Sequence, residues 1–165
     1  MNDSPCIRTF SGKLVNVFDP DPDNILIEDI AHSLSMQCRF AGHINRHYSV
    51  AQHSLNCSFL IEDELKLDAL MHDAAEAYIT DLPRPIKKSI PQFSEIEEYL
   101  QMIICEKFNL VHPLPQRIHD VDDQMLQLEW DNMVLRLTNM NFGSIYPFEV
   151  ERNFLKMFNE YKIRR

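Results

Sequence analysis

Five side chains have types and spacing that could do chemistry together: His53, His72, Asp73, Glu76 and Asp122. Each sits in a segment of helical periodicity. His53 shares a stripe with Val50, Cys57 and Leu60. His72 shares one with Leu65, Ala69, Glu76 and Ile79, and Asp73 follows it directly. Asp122 shares one with Ile118, Met125 and Glu129. An ionisable group facing a core costs free energy unless it is paired, hydrogen-bonded or bound to a metal. Converging such groups on one ion removes the cost for all of them. Two histidines and two carboxylates make a mixed nitrogen and oxygen set. It suits Mn, Fe, Co, Ni or Zn, tolerates Mg less well, and leaves positions for water and substrate. Water on such an ion loses a proton near neutral pH and becomes a nucleophile. Glu76, one turn beyond His72, falls on the same helix face. Spacing alone does not bring the three helices together. A single histidine on a stripe is most often a satisfied core residue, and Asp120, Asp122 and Asp123 lie so close that one or more is simply solvated.

The elements that must position these residues are helical. Ser49-Val50-Ala51-Gln52 has the form of a capping box, with Ser49 as N-cap and Gln52 reaching back. The periodicity predicts helices over about Ile27 to Cys38, from Ser49 through Leu60, and over Glu64 to Ile79. A second capping box at Ser94-Glu95-Ile96-Glu97 opens a helix to about Phe108. Another helix follows Pro113 and Pro115. A last amphipathic one follows Pro147, with Val150, Phe154, Met157 and Tyr161 on its stripe. Residues 7–18 alternate around Ser11-Gly12 as a short hairpin. Between the first two helices, Arg39 to Tyr48 reads as a functional loop holding Arg46, His43 and His47. The expectation is an all-α bundle of five to seven helices with a short N-terminal hairpin. It forms a single domain over 1–165, with an extension at 1–25, a core at 26–134 and a C-terminal helix at 147–163.

Bulk properties narrow the function. The chain has 165 residues, enough for one domain with a core. Its net charge of -9 argues against a long nucleic-acid footprint, which needs a basic surface. A small phosphorylated ligand remains compatible, because a metal and a few local cations can hold it. The four cysteines (Cys6, Cys38, Cys57, Cys105) are far apart with no CxxC pair, and read as reduced. Met1 to Pro5 is polar and does not resemble a signal peptide. No apolar run approaches the ~20 residues of a membrane helix. The expectation is a cytoplasmic protein with no membrane contact.

Three stretches carry a resemblance: Ser-Val-Ala-Gln-His53-Ser, then Leu-Met-His72-Asp73-Ala-Ala-Glu76-Ala-Tyr, then Asp122-Asp-Gln-Met-Leu-Gln-Leu-Glu129. In that order they resemble the HD-domain metal-dependent phosphohydrolases, whose pattern is a helix histidine, a His-Asp pair on the next helix and a distant Asp. The run HDAAEAYITDLPRPIK from His72 to Lys87 is most similar to the subgroup with bacterial 5'-deoxyribonucleotidases and small phage and bacterial nucleotide hydrolases. The resemblance spans roughly Ile27 to Val134.

It implies His53, His72, Asp73 and Asp122 as metal ligands. Asp122 is chosen over Asp123 because it sets Leu126 and Glu129 where the family has its Leu and Glu. It implies Glu76 as the catalytic carboxylate, orienting water or passing a proton to the leaving oxygen. Asp81 matches a catalytic position that also contacts the nucleotide sugar. Arg39-Phe40 falls where the subgroup has Arg followed by Trp. The Arg would grip phosphate and the ring would pack on the sugar; the smaller Phe40 leaves sugar choice open. Arg46, Arg84, Lys87 and Lys88 are further candidate phosphate contacts, while Trp130 reads as core or interface. The implied protein is a divalent-metal-dependent 5'-nucleotidase acting on (deoxy)nucleoside monophosphates, forming a homodimer or larger homo-oligomer. Two alternatives stand beside it: a (deoxy)nucleoside triphosphate triphosphohydrolase, and a nucleotide-binding sensor without turnover.

Overall fold

Ser49 starts the helix that organises the molecule. Its Oγ accepts from the Gln52 backbone N–H at 3.1 Å, filling one of the donors that a helix N-terminus leaves unpaired. In the computed structural model, which describes residues 5–165, this helix is α2, Val50–Phe59. Residues 1–4 of the expected N-terminal extension lie outside the described residues. Gln52 does not reach back as a full capping box would. Its amide turns along the helix to Asn56 at 3.3 Å.

The fold is helical with one hairpin, as the sequence predicts. Strands β1 (Cys6–Arg8) and β2 (Leu14–Asn16) pair antiparallel, with Ile7 opposite Val15. The hairpin is tied down by buried Asp29, whose carboxylate accepts from both the N–H and Oγ of Ser11 at 2.7 Å. The described residues contain eight α-helices. They are α1 (Ile27–Met36), α2, α3 (Lys66–Leu70), α4 (Glu76–Ile79), α5 (Arg84–Lys87), α6 (Pro91–Phe108), α7 (Gln116–Glu129) and α8 (Pro147–Arg164).

Two sequence expectations are corrected. The single helix predicted from Glu64 to Ile79 is broken. After α3 the chain passes through turns at residues 71–75 before α4 begins. Its bonds there run three residues back, as in Ala74 N–H to Met71 and Glu76 N–H to Asp73, a tighter winding than an α-helix. The second capping box does not form either. Pro91 opens α6 three residues earlier, so Ser94 lies inside the helix. Proline at the first helical position has no N–H to leave unpaired, and its φ is already helical.

α2 runs between two apolar clusters. Val50, Ala51 and Leu55 pack with Ile30, Leu34, Leu70 and Phe154. Cys57 joins the cluster of Ile118, Val121, Met125 and Met133 beneath α7. α8 closes the first cluster with Val150, Phe154, Phe158 and Tyr161. Met157, expected on that stripe, is only partly buried. The core therefore reaches beyond residues 26–134 to include α8 and Val15. Leu60, expected on the α2 stripe, is exposed past the helix end, and Phe148 is exposed at the start of α8. Among the described residues no helix is long and apolar enough to cross a membrane.

Candidate metal centre

α2 delivers His53, the 71–75 turns deliver His72 and Asp73, and α7 delivers Asp122. The structure brings all four together. His53 Nε2 lies 3.0 Å from Asp122 Oδ1 and 3.8 Å from Asp73 Oδ2. His72 Nε2 lies 3.2 Å from Asp73 Oδ2 and 3.9 Å from Asp122 Oδ1. Both imidazoles are buried, and both carboxylates are partly exposed toward one cavity.

Each histidine is oriented by its other nitrogen. His53 Nδ1 meets Glu129 Oε1 at 2.6 Å. His72 Nδ1 meets the Ala69 carbonyl at 2.7 Å. In the neutral rings these nitrogens carry the proton, which leaves both Nε2 atoms as acceptors facing carboxylate acceptors. His72 Nε2 is buried and has no hydrogen-bond partner. Acceptors facing acceptors at this range require a shared cation, either a proton or a metal.

Glu129 is the hub beneath the site. Fully buried, it receives the Arg39 Nε–H at 3.1 Å and the Tyr48 hydroxyl at 2.8 Å as well as His53. Burial works against its ionised form, but His53, Arg39 and the hydrogen bonds outweigh it and hold the carboxyl below the usual range. Burial likewise opposes Asp122, and His53, His72 and Arg39 more than offset it. For His53, burial and Arg39 favour the neutral ring. Cys57, Glu129 and Asp122 overcome them, so its proton affinity is well above the ordinary histidine range.

Cys57, one turn from His53, also belongs here. His53, Cys57 and His72 form a buried group whose ligand atoms all lie within 4.8 Å of one another, close enough to hold a metal ion. The sequence pattern places Cys57 on the His53 stripe without assigning it a role. Its spacing of four residues from His53 is the signal that points to the pairing.

The cavity in front of the cluster has a volume of about 670 Å³. Glu76 and Asp81 line it beside Asp73. Burial, then Asp73 and Asp81, push the Glu76 carboxyl well above its ordinary value. Its Oε2 is buried without a partner, and its Oε1 lies 3.7 Å from Lys87 Nζ. Burial also raises Asp81, against the pull of Arg39. Gln37 clamps this stretch. Its amide donates to the Glu76 carbonyl at 3.0 Å, and its Oε1 accepts from the Asp81 N–H at 3.1 Å.

The candidate substrate contacts divide. Arg39, Phe40, Arg84 and Lys87 line the cavity. Arg84 reaches Asp123 at 2.9 Å and Asp122 at 3.4 Å. Lys87 pairs with Glu97 at 2.7 Å. Arg39 is buried, and burial disfavours its charge, yet Glu129, Asp73 and Asp81 keep it protonated. Arg46 is not brought to the wall; its guanidinium lies over the Phe142 ring. His43 and His47 do not line the cavity, and Lys88 lines only a smaller neighbouring hollow. Trp130, read from the sequence as core or interface, is 43% exposed and forms part of the cavity wall. The Arg39–Tyr48 loop is pinned at its ends by a bridge between Cys38 and Ser49.

Fold and site together define an all-helical protein with a histidine–carboxylate cluster at the floor of a polar cavity. Over 153 residues the chain is 40% identical to the uncharacterized protein YfdR of Escherichia coli (strain K12), covering 93% of this chain and 83% of that one. The chain belongs to the YfdR family. It is also 36% identical over 121 residues to an uncharacterized protein of Rhodobacter capsulatus, across 67% of this chain and 62% of that one. No family model matches the chain.

Proposed function

We propose that the protein is a divalent-metal-dependent phosphohydrolase of the HD type, acting on nucleotides as a 5'-nucleotidase that releases phosphate from (deoxy)nucleoside monophosphates. The observation that carries this reading is the meeting of His53, His72, Asp73 and Asp122 at the floor of a cavity also lined by Arg39, Arg84 and Lys87. Two ligand atoms about 2.1 Å from one ion stand about 3 Å apart at a right angle and about 3.4 Å apart at the tetrahedral angle. The observed separations of 3.0 to 3.9 Å suit such a set.

Cys57 is the less suitable fourth donor. Its Sγ lies 3.5 Å from His53 Nε2 and 4.0 Å from Nδ1, which puts it beside the ring and off the line of the Nε2 lone pair. Burial also raises its proton affinity, which disfavours the thiolate.

When bound, a divalent ion there supplies charge neutralisation at a phosphate oxygen and an acidified water. The chain's own residues do the rest. Arg39 offsets phosphate charge from a buried, ion-paired position, and Arg84 and Lys87 add charge at the wall. Glu76, buried and inclined to hold its proton, orients water or protonates the leaving oxygen. Gln37 keeps Glu76 and Asp81 in place through the backbone.

The test is direct. Protein loaded with Mn or Co is incubated with nucleoside mono-, di- and triphosphates and the products are resolved. Inorganic phosphate from monophosphates is the expected result. Intact triphosphate released from a triphosphate would replace this reading with a triphosphohydrolase. Nucleotide binding without any product would leave a sensor. Glu76→Gln should retain the metal and lose turnover.

A further inference from the structure

α7 and the π turn that continues it lay three side chains along one wall of the cavity at four-residue intervals: Asp122, Leu126 and Trp130. At about 1.5 Å per residue, Trp130 stands about 12 Å along the axis from Asp122. The charged end of this row is in the His–Asp cluster, the middle is apolar, and the far end is an indole. A phosphate, a sugar and a base laid end to end follow the same order of chemistry.

The far end has the features of a stacking site. Trp130 remains 43% exposed on the cavity wall although it follows fully buried Glu129 directly. Its direction follows from the helix: residue 130 keeps helical backbone angles, φ -59° and ψ -49°, two four-residue steps beyond Asp122, and a π turn over Trp130–Val134 begins there. Such turns recur at functional sites. Facing the indole is Phe40, its ring centroid 6.0 Å away and tilted by 55°. Phe40 is held there by a left-handed backbone, φ 56°, a conformation rare for a bulky residue. Its neighbour Ala41 also has positive φ, at 50°. Two aromatic groups from segments 90 residues apart thus meet on the cavity wall.

Resting on the nucleotide reading above, we infer that Trp130, with Phe40 beside it, is the nucleobase platform of this cavity and the residue that makes it prefer nucleotides to base-free sugar phosphates. Recognition by stacking accepts any base, because each presents a π-face. The site is therefore expected to tolerate both purines and pyrimidines.

Trp130 is the chain's single tryptophan, so its emission reports on this position alone. In Mg-containing buffer, the wild-type protein is titrated with dAMP, with dCMP and with 2-deoxyribose 5-phosphate. Both nucleotides should quench the emission, and the base-free phosphate should not. Calorimetry on Trp130→Leu should show nucleotide affinity reduced about tenfold. Trp130→Phe, which keeps a ring, should recover most of it. Equal nucleotide affinity in wild type and Trp130→Leu, or nucleotide binding without quenching in the wild type, would overturn the platform. Those outcomes are distinct from failure of the phosphohydrolase reading, which appears as absence of product from any nucleotide whatever the tryptophan reports.

Discussion

Glu129 has no water-facing surface and three donors around it: Arg39 Nε, Tyr48 Oη and His53 Nδ1. A carboxylate so placed does two jobs. It balances a buried guanidinium, and it fixes which nitrogen of His53 faces the ligand cluster. The two jobs separate by substitution. Glu129→Ala leaves Arg39 buried with its main counter-charge removed, which costs about 3–5 kcal/mol of stability and is read as a fall in the urea midpoint. Glu129→Gln keeps the volume and loses the charge. It should weaken metal affinity by about 10–100-fold, measured by titration against a metallochromic chelator, because partners of this kind hold the ligand in its binding tautomer. Unchanged metal affinity in Glu129→Gln would remove Glu129 from the support of the site.

At the scale of elements, the break between α3 and α4 carries both His72 and Asp73, and Gln101 on α6 clamps it. Gln101 is buried; its Oε1 accepts from the Ala75 N–H at 3.0 Å and its Nε2 donates to the Met71 carbonyl at 2.9 Å. These are backbone groups that a continuous helix would have paired internally. Gln101→Leu keeps the bulk but strands the Ala75 N–H, while the Met71 carbonyl still accepts from the Ala74 N–H at 3.1 Å. A stability loss of about 1–3 kcal/mol is expected in chemical denaturation, the cost of one buried unpaired group. Loss below about 0.5 kcal/mol would mean the turns hold themselves.

This break also marks where local sequence pattern stops being informative. His53, His72 and Asp122 stand out because an ionisable group on an apolar stripe is a local anomaly, visible within a few residues. The Leu65–Ile79 periodicity persists through the break, so local pattern predicts one helix. The deciding partner, Gln101, lies 26 residues beyond Ala75. Trp130 misleads for a similar reason. A tryptophan after an apolar stripe reads as core, and what makes its helix face a cavity wall is Phe40 and the Asp81–Lys87 stretch, which lie far away in the sequence. The Ser94 box fails because Pro91, three residues earlier, supplies a helix start of its own.

On the scale of the whole molecule, the proposed ligand set ties together α2, the 71–75 turns and α7, and so joins the cluster beneath α7 to the larger core around α1 and α8. A ligand that binds only the folded chain stabilises all of it by mass action. At a free ion concentration of about 100 Kd the gain is about 2.7 kcal/mol. For a chain of 165 residues, that should raise the thermal midpoint by about 5–10 °C. Excess chelator should reverse the shift. His72→Ala should abolish it, because the lost imidazole leaves its carboxylate neighbours with too few partners for tight binding. Calorimetric scans of both proteins with Mn, Co, Zn and Mg would check this and rank the ions. An equal shift in wild type and His72→Ala would place the bound ion elsewhere. No shift with any ion would remove the metal from the account, and with it the phosphohydrolase chemistry proposed for this cavity.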